Sequence, residues 1–144
     1  MKASDLRIDD WVEVKNSTHL KFVQVNGILN NSVFTKSAEY ESEEIDISDL
    51  KPIQLTPEIL EKNGFKKYRI CYGVYGWNLM DSDYPVLPFV LVDDFSFGKP
   101  GEYMFGVEYE AGEVTGIREL GVIRYIHELQ HLLKLFRIEK DILL

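Results

Sequence analysis

Residues 127–131 read His127-Glu128-Leu129-Gln130-His131, an H-E-x-x-H pattern. On a helix, positions four apart put both imidazoles on one face, where they can hold Zn²⁺ while the glutamate activates a bound water. The chemistry implied is metal-assisted hydrolysis, with His127 and His131 as ligands and Glu128 as base. Such a site needs a third protein ligand. The metzincin extension would place Gly and His downstream, but Leu132-Leu133-Lys134-Leu135-Phe136-Arg137 follows. The gluzincin type would place a glutamate on a further helix, and none is expected in the 13 residues after His131. Asp93, Asp94 or Glu108 could complete the set only if another surface covered this face.

The helix that must carry the motif is expected over Val122–Phe136. At helical spacing Val122, Tyr125, Ile126, Leu129, Leu132, Leu133 and Phe136 share one face, a core-facing stripe directed at the strands that precede it. His127 and His131 fall on the opposite side, beside Arg124 and Lys134. The expectation is a solvated pair with no metal and no other cofactor, leaving a zinc hydrolase as the alternative reading.

Other chemistry-bearing residues are sparse. Residues 81–117 hold eight acidic groups (Asp81, Asp83, Asp93, Asp94, Glu102, Glu108, Glu110 and Glu113) against Lys99 alone. This block could mimic DNA phosphates, and its expected state is solvated turns and outward strand faces. It has no calcium-loop spacing, since Asp81-Ser82-Asp83 lacks the remaining ligands. Eleven of the 18 aromatic residues lie between Tyr68 and Tyr109. A base-stacking platform would pair them with positive charge, so packed strands are expected instead. Cys71 sits between Ile70 and Tyr72 and is expected to be an inert thiol; a lone cysteine excludes an internal disulfide framework. Gly73 and Gly76 open no helix and form no phosphate loop. His19 lies in a polar turn with no visible partner.

Length and composition bound the function. The 144 residues suit one domain or two very small ones, and 45% apolar with 28% charged residues is ordinary for a globular protein. A net charge of −8 argues against direct binding to nucleic acid or a membrane surface. No run approaches the ~18 apolar residues of a membrane span, and the polar start reads as no signal peptide. A cytoplasmic location is expected.

The elements follow from periodicity. Trp11–Val14, Phe22–Val25, Val33-Phe34 and Ile45–Ile47 read as short strands, with turn chemistry at Asn26-Gly27 and Asn30-Asn31 and a loop over Ser37–Glu44. They predict an SH3-like small antiparallel barrel over residues 1–55. Trp11 is expected to face its core. A short helix begins at Thr56-Pro57 and stops at Asn63-Gly64. Tyr68–Tyr72, Trp77–Met80, Val86–Val92 and Tyr103–Tyr109 form a second antiparallel meander, while 113–120 reads equally as strand or loop. The class is α+β, divided into residues 1–55 and 56–144.

Three blocks resemble one family. They are Asp5-Leu6-Arg7-Ile8 with Trp11-Val12, then Leu50-Lys51-Pro52-Ile53-Gln54-Leu55-Thr56 running through Ile59-Leu60 to Asn63-Gly64-Phe65, and finally Tyr125-Ile126-His127-Glu128-Leu129-Gln130. The family comprises small uncharacterised Bacteroidetes proteins, often encoded in prophage-like or mobile regions. It has Gly-Asn where this chain has Asp9-Asp10, and asparagine where this chain has His131. The resemblance implies that the second histidine is incidental to the family, and it imports no catalytic residue. The reading that follows is a non-enzymatic accessory or protein-interaction protein of prophage type, whose partner is another protein. A zinc hydrolase on His127, Glu128 and His131 is the alternative, and an acidic nucleic-acid mimic the second alternative.

Overall fold

Alternating valines build the first sheet. The computed structural model describes residues 1–17, 21–36, 43–71, 73–93, 99, 101–112 and 114–144. Strands β1 (Trp11–Val14), β2 (Phe22–Leu29), β3 (Ser32–Lys36), β4 (Glu44–Asp46) and β5 (Leu50–Pro52) pair antiparallel in the order β4-β3-β2-β1-β5. The sheet is not closed into a barrel. Val12, Val23, Val25, Val33, Leu6, Ile47 and Leu50 form its core, with Val14 and Ile45 packed against it. Val12 is fully buried and Trp11 only half-buried, so β1 faces the opposite way from the expectation. Adjacent strand residues point to opposite faces, and a core that takes Val12 and Val14 excludes Trp11.

The turn expected at Asn26-Gly27 lies inside β2, where the register shifts between Val25 and Gly27. The chain reverses instead at Asn30-Asn31, with Asn30 in the left-handed region at φ 52°. A 3-10 turn at Ile47–Asp49 leads into β5, and the Asp46 carboxylate accepts the Ser48 N–H at 2.7 Å. Of the loop expected over Ser37–Glu44, residues 37–42 lie outside the described residues, and Glu44 already belongs to β4.

The short helix forms where its caps dictate. In α1 (Pro57–Lys62) Pro57 takes the first position, the Thr56 hydroxyl accepts the Ile59 N–H, and Gly64 follows at φ 80°. The Asn63 side chain binds the carbonyls of Ile59 and Leu143 and accepts the Leu143 N–H, each at 2.8 Å. This fastens the end of α1 to the C-terminal segment.

A second sheet follows: β6 (Phe65–Cys71), β7 (Val74–Asp81), β9 (Val90–Val92), β10 (Tyr103–Ala111) and β11 (Val114–Ile123), in the order β11-β10-β9-β7-β6, with β8 (Tyr84–Pro85) on β7. The expected strand over Val86–Val92 shortens to β9. The Asn78 side chain binds the carbonyls of Leu87 and Phe89 and accepts the Leu87 N–H, which holds the preceding residues out of the ladder. Residues 114–120 are strand, as part of β11. Its glycines are covered from β10: a Cβ at Gly121 or Gly116 would sit 2.7 Å from the Phe105 or Tyr109 ring. Aromatic rings lying over glycines compensate the weak strand preference of glycine.

Helix α2 (Ile126–Leu135) starts four residues later than expected, because Val122 and Ile123 pair with Met104 and Tyr103 as the end of β11. Ile126, Leu129, Leu132 and Leu133 are buried. Residues Met1–Gln54 with Tyr125–Leu132 form one unit, and Leu55–Arg124 with Leu133–Leu144 a second. The stripe expected against the second β region thus groups through Leu132 with the first sheet, and only further on does Phe136 meet Phe89 at 5.0 Å. The class is α+β: two antiparallel sheets and two helices. Among the described residues no helix is long and apolar enough to cross a membrane.

Leu129 has no exposed surface. Leu129→Ala is expected to lower unfolding free energy by about 2–5 kcal/mol in urea melts.

Candidate functional site

The start of α2 is set by its own residues. Tyr125 accepts the first helical hydrogen bond, from Leu129 N–H at 3.2 Å, and its own N–H donates to the Glu128 carboxylate at 3.0 Å. Glu128 thereby fills the reciprocal arm of a capping box. The residue that would be the base of a zinc hydrolase caps the helix.

The histidines do not face solvent, which corrects the expectation drawn from the helical wheel. His127 is 5% exposed, and the His131 side chain 20%. The wheel placed them correctly relative to the apolar stripe, but the segment Arg7–Trp11 covers the other side. Asp10 is wholly buried, and its two oxygens lie 2.9 and 2.8 Å from His131 Nε2. One of them also accepts the Arg7 N–H at 2.7 Å, so the carboxylate is the acceptor and the imidazole the donor. Gln130, also buried, accepts the Trp11 N–H at 3.0 Å and donates to the Asp9 carbonyl at 2.9 Å. Three consecutive residues of the N-terminal segment are thus held by two of α2.

His127 stands beside this tie. Its ring is parallel to Tyr125 at 5.7 Å between centroids and edge-on to His131 at 5.8 Å. Its Nδ1 is buried and has no hydrogen-bond partner among the described residues. Burial pushes the imidazole below its ordinary pKa and His131 adds to this, while Asp10, Glu128 and Asp5 pull the other way. No three His, Cys, Asp or Glu side chains among the described residues are arranged to hold a metal ion.

The remaining candidates have structural partners or lie apart. The Asp93 carboxylate accepts from Lys67 at 3.0 Å and from the Trp77 indole at 2.8 Å. Glu102 accepts from Arg124 at 2.6 Å, a bond that leads the causes holding its carboxyl below the usual range. Glu108 accepts from the Tyr68 hydroxyl, whose pKa is raised first by burial and then by this bond. Asp81 and Asp83 are exposed, so the acidic block is part solvated and part engaged. Cys71 is half-buried at the end of β6. His19, Asp94 and Glu113 lie outside the described residues.

A second surface escaped sequence reasoning. Beyond Gly106, β10 continues with five exposed residues, 107–111, which among the described residues pair only to β11. Val107, Tyr109, Ile117 and Arg118 line a shallow depression there of about 570 Å³. Its signal was present as Val107-Glu108-Tyr109-Glu110, an alternation with one apolar and one acidic side.

The chain matches no family model, no curated protein and no solved structure.

The Asp10–His131 contact predicts a double-mutant cycle. His131→Ala leaves a buried carboxylate without its side-chain donor and is expected to cost about 1.5–3 kcal/mol. Asp10→Asn with His131→Asn together is expected to cost less than the sum of the two single changes, because two amides can pair. Urea melts of the native chain, His131→Ala, the two single asparagine variants and the double variant measure this.

His127 predicts a pH dependence. The unfolded chain takes up a proton near pH 6.5, the folded chain only at lower pH. The contribution of His127 is therefore full above that value and is lost as pH falls below it, towards the folded pKa. Between pH 7.5 and 5.5 the urea midpoint of the native chain is expected to drop further than that of His127→Gln.

Proposed function

We propose that this chain is a non-enzymatic accessory protein of prophage type that works in the cytoplasm by binding another protein. The observation that carries this reading is the exposed outer half of β10, where Val107 and Tyr109 stand in solvent beside a depression lined with Ile117 and Arg118. Exposed aromatic and aliphatic side chains grouped this way suit a protein contact. The residues that could have done chemistry are engaged elsewhere: Glu128 caps α2, and His131 is bound to Asp10.

The resemblance to the Bacteroidetes family gains support from position. Asp9, which stands where the family has glycine, takes φ 73°, a conformation that glycine adopts most easily. Asp10 and His131, which both stand where the family has asparagine, are in direct contact. An Asn–Asn pair exchanged for an Asp–His pair accounts for the second histidine without a metal. An SH3-like character for the first sheet is supported by its connectivity: four strands in a meander, then a 3-10 turn, and a fifth strand returning beside the first.

One observation favours the zinc hydrolase as the second reading, namely the unpartnered Nδ1 of His127. The nucleic-acid mimic has less in its favour, since Asp93 and Glu102 are held by Lys67 and Arg124 rather than presented in a row.

The test places a photo-cross-linking residue at Tyr109 and, as a control, at the exposed Leu135 of the full chain in its own host. The expected result is one discrete adduct from position 109, competed by excess unlabelled chain, and none from 135. One equivalent of tightly held zinc in tag-free protein, with a hydrolysis that chelation abolishes, would overturn the reading in favour of the hydrolase.

A further inference from the structure

We infer that the open edge of β10 over residues 107–111 receives an extended segment of the partner, one in which apolar and basic side chains alternate. This rests on the protein-binding reading above and names the chemistry of the partner. Strand β9 pairs with Met104, Phe105 and Gly106 only. From Val107 to Ala111 the strand keeps β11 on one side, and among the described residues nothing pairs with the other. An open strand edge presents backbone donors and acceptors in the spacing of a further strand, so added segments bind by main-chain hydrogen bonds and are selected by side chains on the two faces.

Those faces differ sharply. Val107 and Tyr109 point to one side, Glu108 and Glu110 to the other. The Tyr109 ring lies over Gly116 on this face. Arg118, directly across from Val107, places a positive charge on that face. A bound strand must therefore turn its apolar side chains to Val107 and Tyr109 and its basic ones to Glu108 and Glu110. Glu108 also accepts the Tyr68 hydroxyl through one oxygen. A second copy of this chain is a poor occupant. Pairing two β10 edges would bring four glutamates onto one face, and like charges across a strand pair are destabilising. The same glutamates that repel a copy select a basic strand.

The experiment titrates the full-length chain with two short synthetic peptides, valine alternating with lysine and valine alternating with glutamate, followed by amide NMR. The expected result is that the lysine peptide shifts the amides of 107–111, with affinity falling as salt is raised. The glutamate peptide, and the lysine peptide against Glu110→Lys, are expected to bind at least about tenfold more weakly. Equal binding of both peptides, shifts confined to other residues, no binding of the lysine peptide, or dimerisation through this edge would each overturn the inference. A cross-linked partner at Tyr109 together with peptide failure would leave the protein-binding reading intact and remove only this edge. Peptide binding without any cross-linked partner would do the reverse.

Discussion

The buried carboxylate of Asp10 is the constraint around which the first unit is arranged. A carboxylate with no exposed surface is tolerable only when its oxygens are satisfied, and here the donors are the Arg7 amide and the His131 imidazole. Meeting that requirement brings α2 over the segment ahead of β1. Gln130 then pairs with the backbone of Asp9 and Trp11, and Ile53 accepts the Ile126 N–H at 3.0 Å. Each bond fixes the helix along its axis and about it. The left-handed turn at Asp9 and the outward placement of Trp11 belong to the same arrangement.

The H-E-x-x-H letters illustrate how one pattern can serve two physical ends. Spacing of four aligns side chains on a helix whether the object they meet is a cation or another part of the chain. Here His131 meets a carboxylate, Glu128 turns back to the helix start, and Gln130, a filler position in the zinc signature, makes two of the ties. His127 is the member left over. Its orphaned nitrogen costs stability, and burial keeps its ring from taking up a proton as readily as it would in water.

Local chemistry was legible in the sequence and distant chemistry was not. Thr56, Pro57 and Asn63-Gly64 act on their own neighbours, so α1 could be read to the residue. Alternation located β1, β2 and β3 for the same reason. The helix reads as starting at Val122 because that residue falls on its apolar face, while Val122 and Ile123 belong to β11, whose partner strand lies across a turn. Residues 113–120 read equally as strand or loop because the rings that cover Gly116 and Gly121, those of Tyr109 and Phe105, come from another strand. The histidine face was misjudged because its cover, Asp10, sits 121 residues away from His131. A helical wheel reports which side of a helix is apolar. It carries no information about what polar segment arrives on the other.

The division of the chain also orders its birth. The first unit takes in Met1–Gln54 and then nothing until Tyr125–Leu132, so its strands leave the ribosome long before the helical piece that completes them. During that interval Asp10 has no imidazole to meet, and the whole of the second sheet is synthesised in between. Closing so long a loop carries an entropic cost that the contacts of the complete unit must repay. Until Gln130 and His131 have been made, the Asp10 carboxylate and the backbone of Asp9 and Trp11 lack the side-chain partners that hold them in the complete unit.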